Sequence, residues 1–151
     1  MSFGALLLGL HMLGAMVWVG GMFFALAVLR PGMAFLEAPL RLALHEQVLG
    51  RFFFAIWHVM PVMVVSGLAM EYAFYGGVGT SPWPLQVMTA TGLAMAAMFV
   101  VAVLGPWRAL RQAQATHDAL LAGAAVQRIR RLIGVNLGLG VVTTIVAVLD
   151  Y

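Results

Sequence analysis

The stretch FGALLLGLHMLGAMVWVGGMFFALAVL, residues 3–29, decides the fold. It contains no charged residue, and His11 is its most polar side chain. An α-helix rises 1.5 Å per residue, so about 20 apolar residues cross the hydrocarbon core of a bilayer. The stretch is therefore long enough to span a membrane as a tilted helix, and Arg30 and Pro31 end it.

Three more apolar runs follow, at residues 52–74, 85–107 and 132–149. The chain is 64% hydrophobic and only 9% charged, whereas soluble domains carry about 25% charged residues. This composition predicts an all-α fold, an integral membrane four-helix bundle. The whole chain, residues 1–151, is expected to form a single transmembrane domain.

The basic residues indicate how the spans are oriented. Lysine is absent, and all eight basic residues are arginines. They lie only in the first and third connections: Arg30, Arg41, Arg51, Arg108, Arg111, Arg128, Arg130 and Arg131. Positive charge marks cytoplasmic loops, so both termini are expected on the periplasmic side of a bacterial inner membrane. Because this placement explains the basic charge, a nucleic-acid partner is not expected.

Both arginine-bearing connections contain amphipathic patterns. From Pro39 to Gly50, apolar residues fall mostly on one helical face and charged residues on the other. Residues 118–131 show a similar stripe that leads into the fourth run. These patterns predict short interfacial helices on the cytoplasmic side.

Two histidines lie within the apolar runs, away from their ends. Ionisable side chains inside a bilayer are costly and usually functional, which makes His11 and His58 the candidate metal ligands. Their expected depths differ by roughly 3–11 Å, so they can approach each other near the midplane if their helices are neighbours. At the small end of that range the two imidazoles would ligate one haem iron, and at the large end they would serve separate sites. Alternatively, each histidine only hydrogen-bonds a neighbouring helix.

Four other residues are candidates for binding a cofactor. Trp18 lies two turns below His11 on the same helical face, where it would pack against a cofactor ring. Arg30 and Arg51 would pair with haem propionates or with lipid phosphates. Asn136 would donate a hydrogen bond to a cofactor or to another helix.

The eleven methionines and the absence of cysteine restrict the chemistry further. Thioethers are soft ligands suited to Cu(I), although they also serve as ordinary apolar packing. Thiolate sites and cysteine nucleophiles are excluded. The sequence contains no phosphate-binding loop and no HExxH motif, and it leaves no room for a soluble catalytic domain.

Several short segments resemble a known family. Leu10-His11 followed by Val-Trp-Val-Gly-Gly at residues 17–21 resembles the first span of the CopD family, which is named for copper resistance and copper import. Leu-Gly-Arg-Phe-Phe at residues 49–53, together with Pro61, is also similar to that family. The resemblance is carried mainly by the first half of the chain.

The same segments are similar to HemJ, a small membrane protein proposed as a protoporphyrinogen oxidase. HemJ proteins are thought to bind b-type haem through the histidine of the first span, so this similarity implies a haem-ligating role for His11. They also use a lysine deeper in the chain. This sequence contains no lysine, which argues against protoporphyrinogen oxidase activity here.

Three functions follow from these features. The first is a membrane-embedded haem b protein in electron transfer or quinol-linked redox chemistry, an oxidoreductase with His11 and His58 as axial ligands. The second is a copper transport or copper resistance protein, in which these histidines and the span methionines mark the path. The third is a structural subunit of a membrane complex. The expected partners are the lipid bilayer, a quinone or redox protein, and further copies of the chain.

Overall fold

The computed structural model describes residues 3–148, which form four long helices. They are α1 (Phe3–Gly32), α2 (Ala38–Tyr75), α3 (Trp83–Ala115) and α4 (Ala119–Val148). Each is long and apolar enough to cross a membrane, and residues 3–148 contain no β-strand. The predicted all-α fold with four spans is confirmed. Leu149, the expected last residue of the fourth span, lies outside the described residues.

The helices form an up-and-down bundle in which α1 packs along α2 and α3 packs along α4. Contacts of α1 with α4, and of α2 with α3, close the bundle. Glycines allow α1 and α2 to approach closely, because a Cβ on Gly14 would lie 3.2 Å from the Cβ of Met63. A Cβ on Gly21 would lie only 2.6 Å from the ring of Phe52. Glycine is therefore the residue that fits at both crossings.

Aromatic rings fill the centre of the bundle. Trp18 packs edge-on against Phe99 with a centroid distance of 6.1 Å. Phe53 contacts the same Phe99 ring at 5.9 Å and Trp107 at 5.3 Å. These edge-to-face contacts join α1, α2 and α3. Large apolar side chains also cover the outside of the bundle, as expected for a surface that faces lipid.

The two amphipathic segments are continuous with the long helices. The predicted helix from Pro39 to Gly50 forms the first turns of α2, so separate interfacial helices are not confirmed. The helix continues past Gly50 without interruption. A Cβ on Gly50 would lie 3.2 Å from the Trp107 ring, so this ring packs directly against the glycine. Residues 119–131 form the first turns of α4 and continue into its apolar part without a break, as the sequence predicts.

Wider π-helical turns occur in α1 at Ala25–Leu29 and in α3 at Val103–Trp107. The N–H of Arg30 donates to the Ala25 carbonyl, the five-residue spacing that defines such a turn. One extra residue in a turn rotates all following side chains by about 100° around the helix axis. The first π-turn therefore helps to set the direction in which Arg30 points.

Short turns close the bundle at both ends. At the end without arginines, α2 stops at Gly76, whose φ of 79° favours glycine. At the arginine-bearing end, His117 takes a φ of 57° between α3 and α4. The carboxylate of Asp118 then accepts a hydrogen bond from the Leu121 N–H at 2.9 Å, as helix-capping residues do.

Candidate functional site

His11 reaches from α1 onto the backbone of α2. Its Nδ1 lies 2.9 Å from the carbonyl oxygen of Met63 and 3.3 Å from Oγ of Ser66. The imidazole fills the space beside Gly67, where an added Cβ would lie 2.9 Å from Cε1 of His11. If Nδ1–H donates to the Met63 carbonyl, the ring lone pair is on Nε2. Metal-binding imidazoles commonly have this arrangement.

His58 lies on the outside of α2. Its Nδ1 donates to the Phe54 carbonyl within the same helix at 2.8 Å, and its ring packs on Phe54 at a centroid distance of 4.6 Å. At 100° per residue, His58 points almost opposite to Gly67, the position that faces His11. The structure therefore does not bring the two imidazoles together on one iron, and their roles as ligands stay predictions.

Carboxylates do not complete a site around either histidine. No group of three or more His, Asp or Glu side chains placed to hold a metal ion occurs between residues 3 and 148. Glu71, which was not among the predicted site residues, is buried near the far end of α2. Its carboxylate accepts hydrogen bonds from Ser81 at 2.5 Å and Thr89 at 2.7 Å. These hydroxyls tie α2 to the following loop and to α3.

A small cavity, here called the core cavity, lies where all four helices meet. Its volume is about 10 Å³, which is close to the least space that admits one water-sized sphere. It is lined by aromatic, apolar and thioether side chains and one amide: Trp18, Met22, Phe52, Phe53, Met98, Phe99, Ala102, Leu132, Ile133 and Asn136.

Asn136 is the polar group of the core cavity. Its Nδ2 donates to the Met95 carbonyl at 3.3 Å. Its Oδ1 is buried and accepts no hydrogen bond from the described residues. Buried polar atoms nearly always have a partner, so an orphaned one suggests strain or an absent ligand. Two predicted site residues, Trp18 and Asn136, thus line one cavity, and no pattern in the sequence indicates that they are close together.

The two predicted arginines lie at the same end of the bundle but in different surroundings. Arg30 lines a cavity of about 330 Å³, here called the arginine cavity. Arg41 and Arg130 line it as well, whereas Arg51 is exposed and does not. Arg41 and Arg130 were not among the predicted site residues, because only the packing of α1, α2 and α4 brings these distant positions together.

Comparison with known proteins places the chain in a family. The family model of Copper resistance protein D, CopD, matches residues 46–149, which is more than half of the chain. No curated protein and no solved structure matched. The predicted resemblance to CopD is confirmed over most of α2 and all described residues of α3 and α4, whereas α1 with His11 lies outside the match. The chain therefore belongs to the CopD family, and its four helices fit a multi-pass protein of the inner membrane.

Proposed function

We propose that this protein carries Cu(I) through the membrane, in keeping with the family description Copper resistance protein D. The core cavity is the observation that carries the proposal. Met22 and Met98 supply two thioethers and Asn136 an unpaired amide oxygen. Thioethers are soft ligands that suit Cu(I). Copper is here the cargo, and the chain's own side chains would hold it in transit.

The surroundings of the core cavity suit a dehydrated cation. Moving a cation into an apolar core is costly unless dipoles or ligands replace its hydration shell. The amide dipole of Asn136 would do this from one side, and the faces of aromatic rings such as Trp18 also attract cations. A space of about 10 Å³ excludes a hydrated ion. The cavity therefore favours a small, dehydrated ion over a solvated one.

His11 provides a second candidate copper-binding position on α1, the helix that also carries Met22. It lies eleven residues before Met22, which corresponds to roughly 16 Å along α1. With Nδ1 held by the Met63 carbonyl, Nε2 is the atom that would bind a metal ion. His11 would then receive the ion nearer the start of α1, and the core cavity would hold it deeper in the bundle.

A Cu(I) titration of the purified protein tests this proposal. The wild-type chain should take Cu(I) from a chromogenic chelator under reducing conditions, and Met98→Leu should weaken binding by about tenfold. The matched control is Met16→Leu on the lipid-facing side of α1, where the side chain is 64% exposed; it should bind as the wild type does. Equal binding by Met98→Leu and the wild type would exclude the core cavity as the site.

We further propose that the arginine-bearing end faces the cytoplasm, as the positive-inside rule indicates. The chain lacks cysteine, so single cysteines can be placed without background. Gly79→Cys, in the exposed loop between α2 and α3, should react with a membrane-impermeant maleimide on intact spheroplasts. Thr116→Cys, in the turn between α3 and α4, should react only after lysis. The opposite labelling pattern would show that the arginine-bearing end faces the periplasm.

Haem b remains a second candidate because the His11 geometry suits any metal that binds imidazole. The Nδ1 contact with Met63 supports Nε2 as an axial ligand. Against this, the imidazole itself fills the space beside Gly67, and His58 is turned away from it. An absorption spectrum of the protein, expressed with ample haem, tests this second candidate. A Soret band that is lost in His11→Ala supports haem binding. A colourless preparation excludes it.

A further inference from the structure

The arginine cavity plays no part in the proposed copper path. Its three guanidinium groups come from three separate helices, with Arg30 on α1, Arg41 on α2 and Arg130 on α4. Its volume of about 330 Å³ lies at the lower end of the range for small-molecule sites, about 300–1,000 Å³. Bringing three positive charges together costs free energy unless something compensates for their repulsion.

The chain itself does not supply that compensation within the described residues. No carboxylate lines the cavity, and Glu37 and Glu46, the acidic residues nearest in sequence, form no ion pair with its arginines. Arg30 and Arg130 are close enough to repel each other. The Nε of Arg130 is buried and has no hydrogen-bond partner between residues 3 and 148. An anion inside the cavity would offset the repulsion between the arginines and would accept a hydrogen bond from the Nε–H of Arg130.

The donors and the wall of the cavity indicate which kind of anion fits. Planar guanidinium groups match phosphate oxygens through paired N–H donors. Gln127 adds a polar side chain, while Leu42 and Val126 form an apolar wall beside the arginines. The cavity lies at the arginine-bearing end of the bundle, the end at which the headgroups of a bilayer would meet helices of this length. Basic pockets between membrane helices at this level are suited to anionic lipid headgroups.

We propose that the arginine cavity binds a phosphate group, supplied either by the headgroup of an anionic lipid or by a soluble phosphate. Arg130 holds the phosphate from α4, and Arg30 and Arg41 complete the site from α1 and α2. The bound group neutralises the repulsion and joins the three helices at this end of the bundle. This site is independent of the proposed copper path, because none of its residues lines the core cavity.

Native mass spectrometry of the full chain tests the proposal. The purified protein is exchanged into detergent with phosphatidylglycerol or, as the zwitterionic comparison, phosphatidylcholine. The wild type should retain phosphatidylglycerol, and Arg130→Gln should weaken that binding by at least about fivefold. The matched control is Arg128→Gln, an exposed arginine on the same helix outside the cavity; it should bind as the wild type does. Arg30→Gln tests the site from a second helix.

Inorganic phosphate distinguishes the two sources. If millimolar phosphate raises the melting temperature of the wild type but not of Arg130→Gln, and displaces the lipid, the site also accepts soluble phosphate. If only the lipid binds, the headgroup is the source. Equal lipid retention by Arg130→Gln and Arg128→Gln, or no binding of either probe by the wild type, overturns the proposal. Circular dichroism confirms that each variant is folded.

Discussion

Replacing Trp18 by alanine should lower the free energy of unfolding of the bundle by about 3 kcal/mol. Trp18 is fully buried and packs edge-on against Phe99. Helices already inside lipid associate through close packing rather than through exclusion of water, so the lost ring contacts would not be regained elsewhere. Unfolding in mixed micelles with increasing SDS, followed by circular dichroism, measures the change.

Trp83→Ala is the matched control for that experiment. Trp83 is 60% exposed at the start of α3, and its removal should change the free energy of unfolding by less than about 0.5 kcal/mol. If both variants unfold at the same SDS fraction, Trp18 does not hold α1 in the bundle. A cofactor-binding role for Trp18 stays a prediction, because packing alone explains its burial.

The four helices could be predicted from sequence because the information is local. A run such as residues 3–29 needs only its own length and composition to be identified as a span. The limits of the helices could not be predicted in the same way. An amphipathic pattern from Pro39 to Gly50 is the same whether the helix stops at Gly50 or continues. In the structure α2 continues past Gly50, and Trp107 packs beside this glycine, a contact between residues far apart in the chain that a local pattern does not contain.

The surroundings of the histidines were less predictable than their positions. The sequence identified His11 as an ionisable residue within a span, but its partner is the carbonyl of Met63. A backbone oxygen leaves no mark in a side-chain pattern. For His58, depth could be estimated from the sequence, but the face of α2 it occupies depends on how α1 and α2 pack. Depth alone was therefore too little to predict whether the two imidazoles meet.

The surroundings of Asn136 could also be predicted only in part. The sequence offered two interpretations, a hydrogen bond to a cofactor or one to another helix. The structure provides the second through Nδ2 and the Met95 carbonyl, yet Oδ1 remains without a partner among residues 3–148. A residue kept only for helix packing gains nothing from an unsatisfied oxygen in the core, whereas a ligand residue needs such an atom.

Asn136→Leu should therefore affect the free energy of unfolding and the Cu(I) affinity differently. Leucine has a similar shape. The substitution removes a buried, unpaired acceptor but also the 3.3 Å hydrogen bond from Nδ2 to the Met95 carbonyl, so the two effects offset each other and the free energy of unfolding should stay within about 1 kcal/mol of the wild type. The same change removes the amide dipole that faces the core cavity, so Cu(I) affinity should fall by about tenfold. SDS unfolding and Cu(I) titration on one preparation measure both effects.

Thr143→Val provides the contrast, because it also removes a polar group from α4. The Thr143 Oγ1 lies 2.6 Å from Oγ1 of Thr91 and 2.8 Å from the Leu139 carbonyl oxygen, within hydrogen-bond distance of both. This variant should therefore gain no stability and should bind copper as the wild type does. Lower stability with unchanged copper binding in Asn136→Leu would make Asn136 a packing residue. Unchanged or higher stability with weakened copper binding is the result expected of a ligand, since residues kept for function often reduce stability.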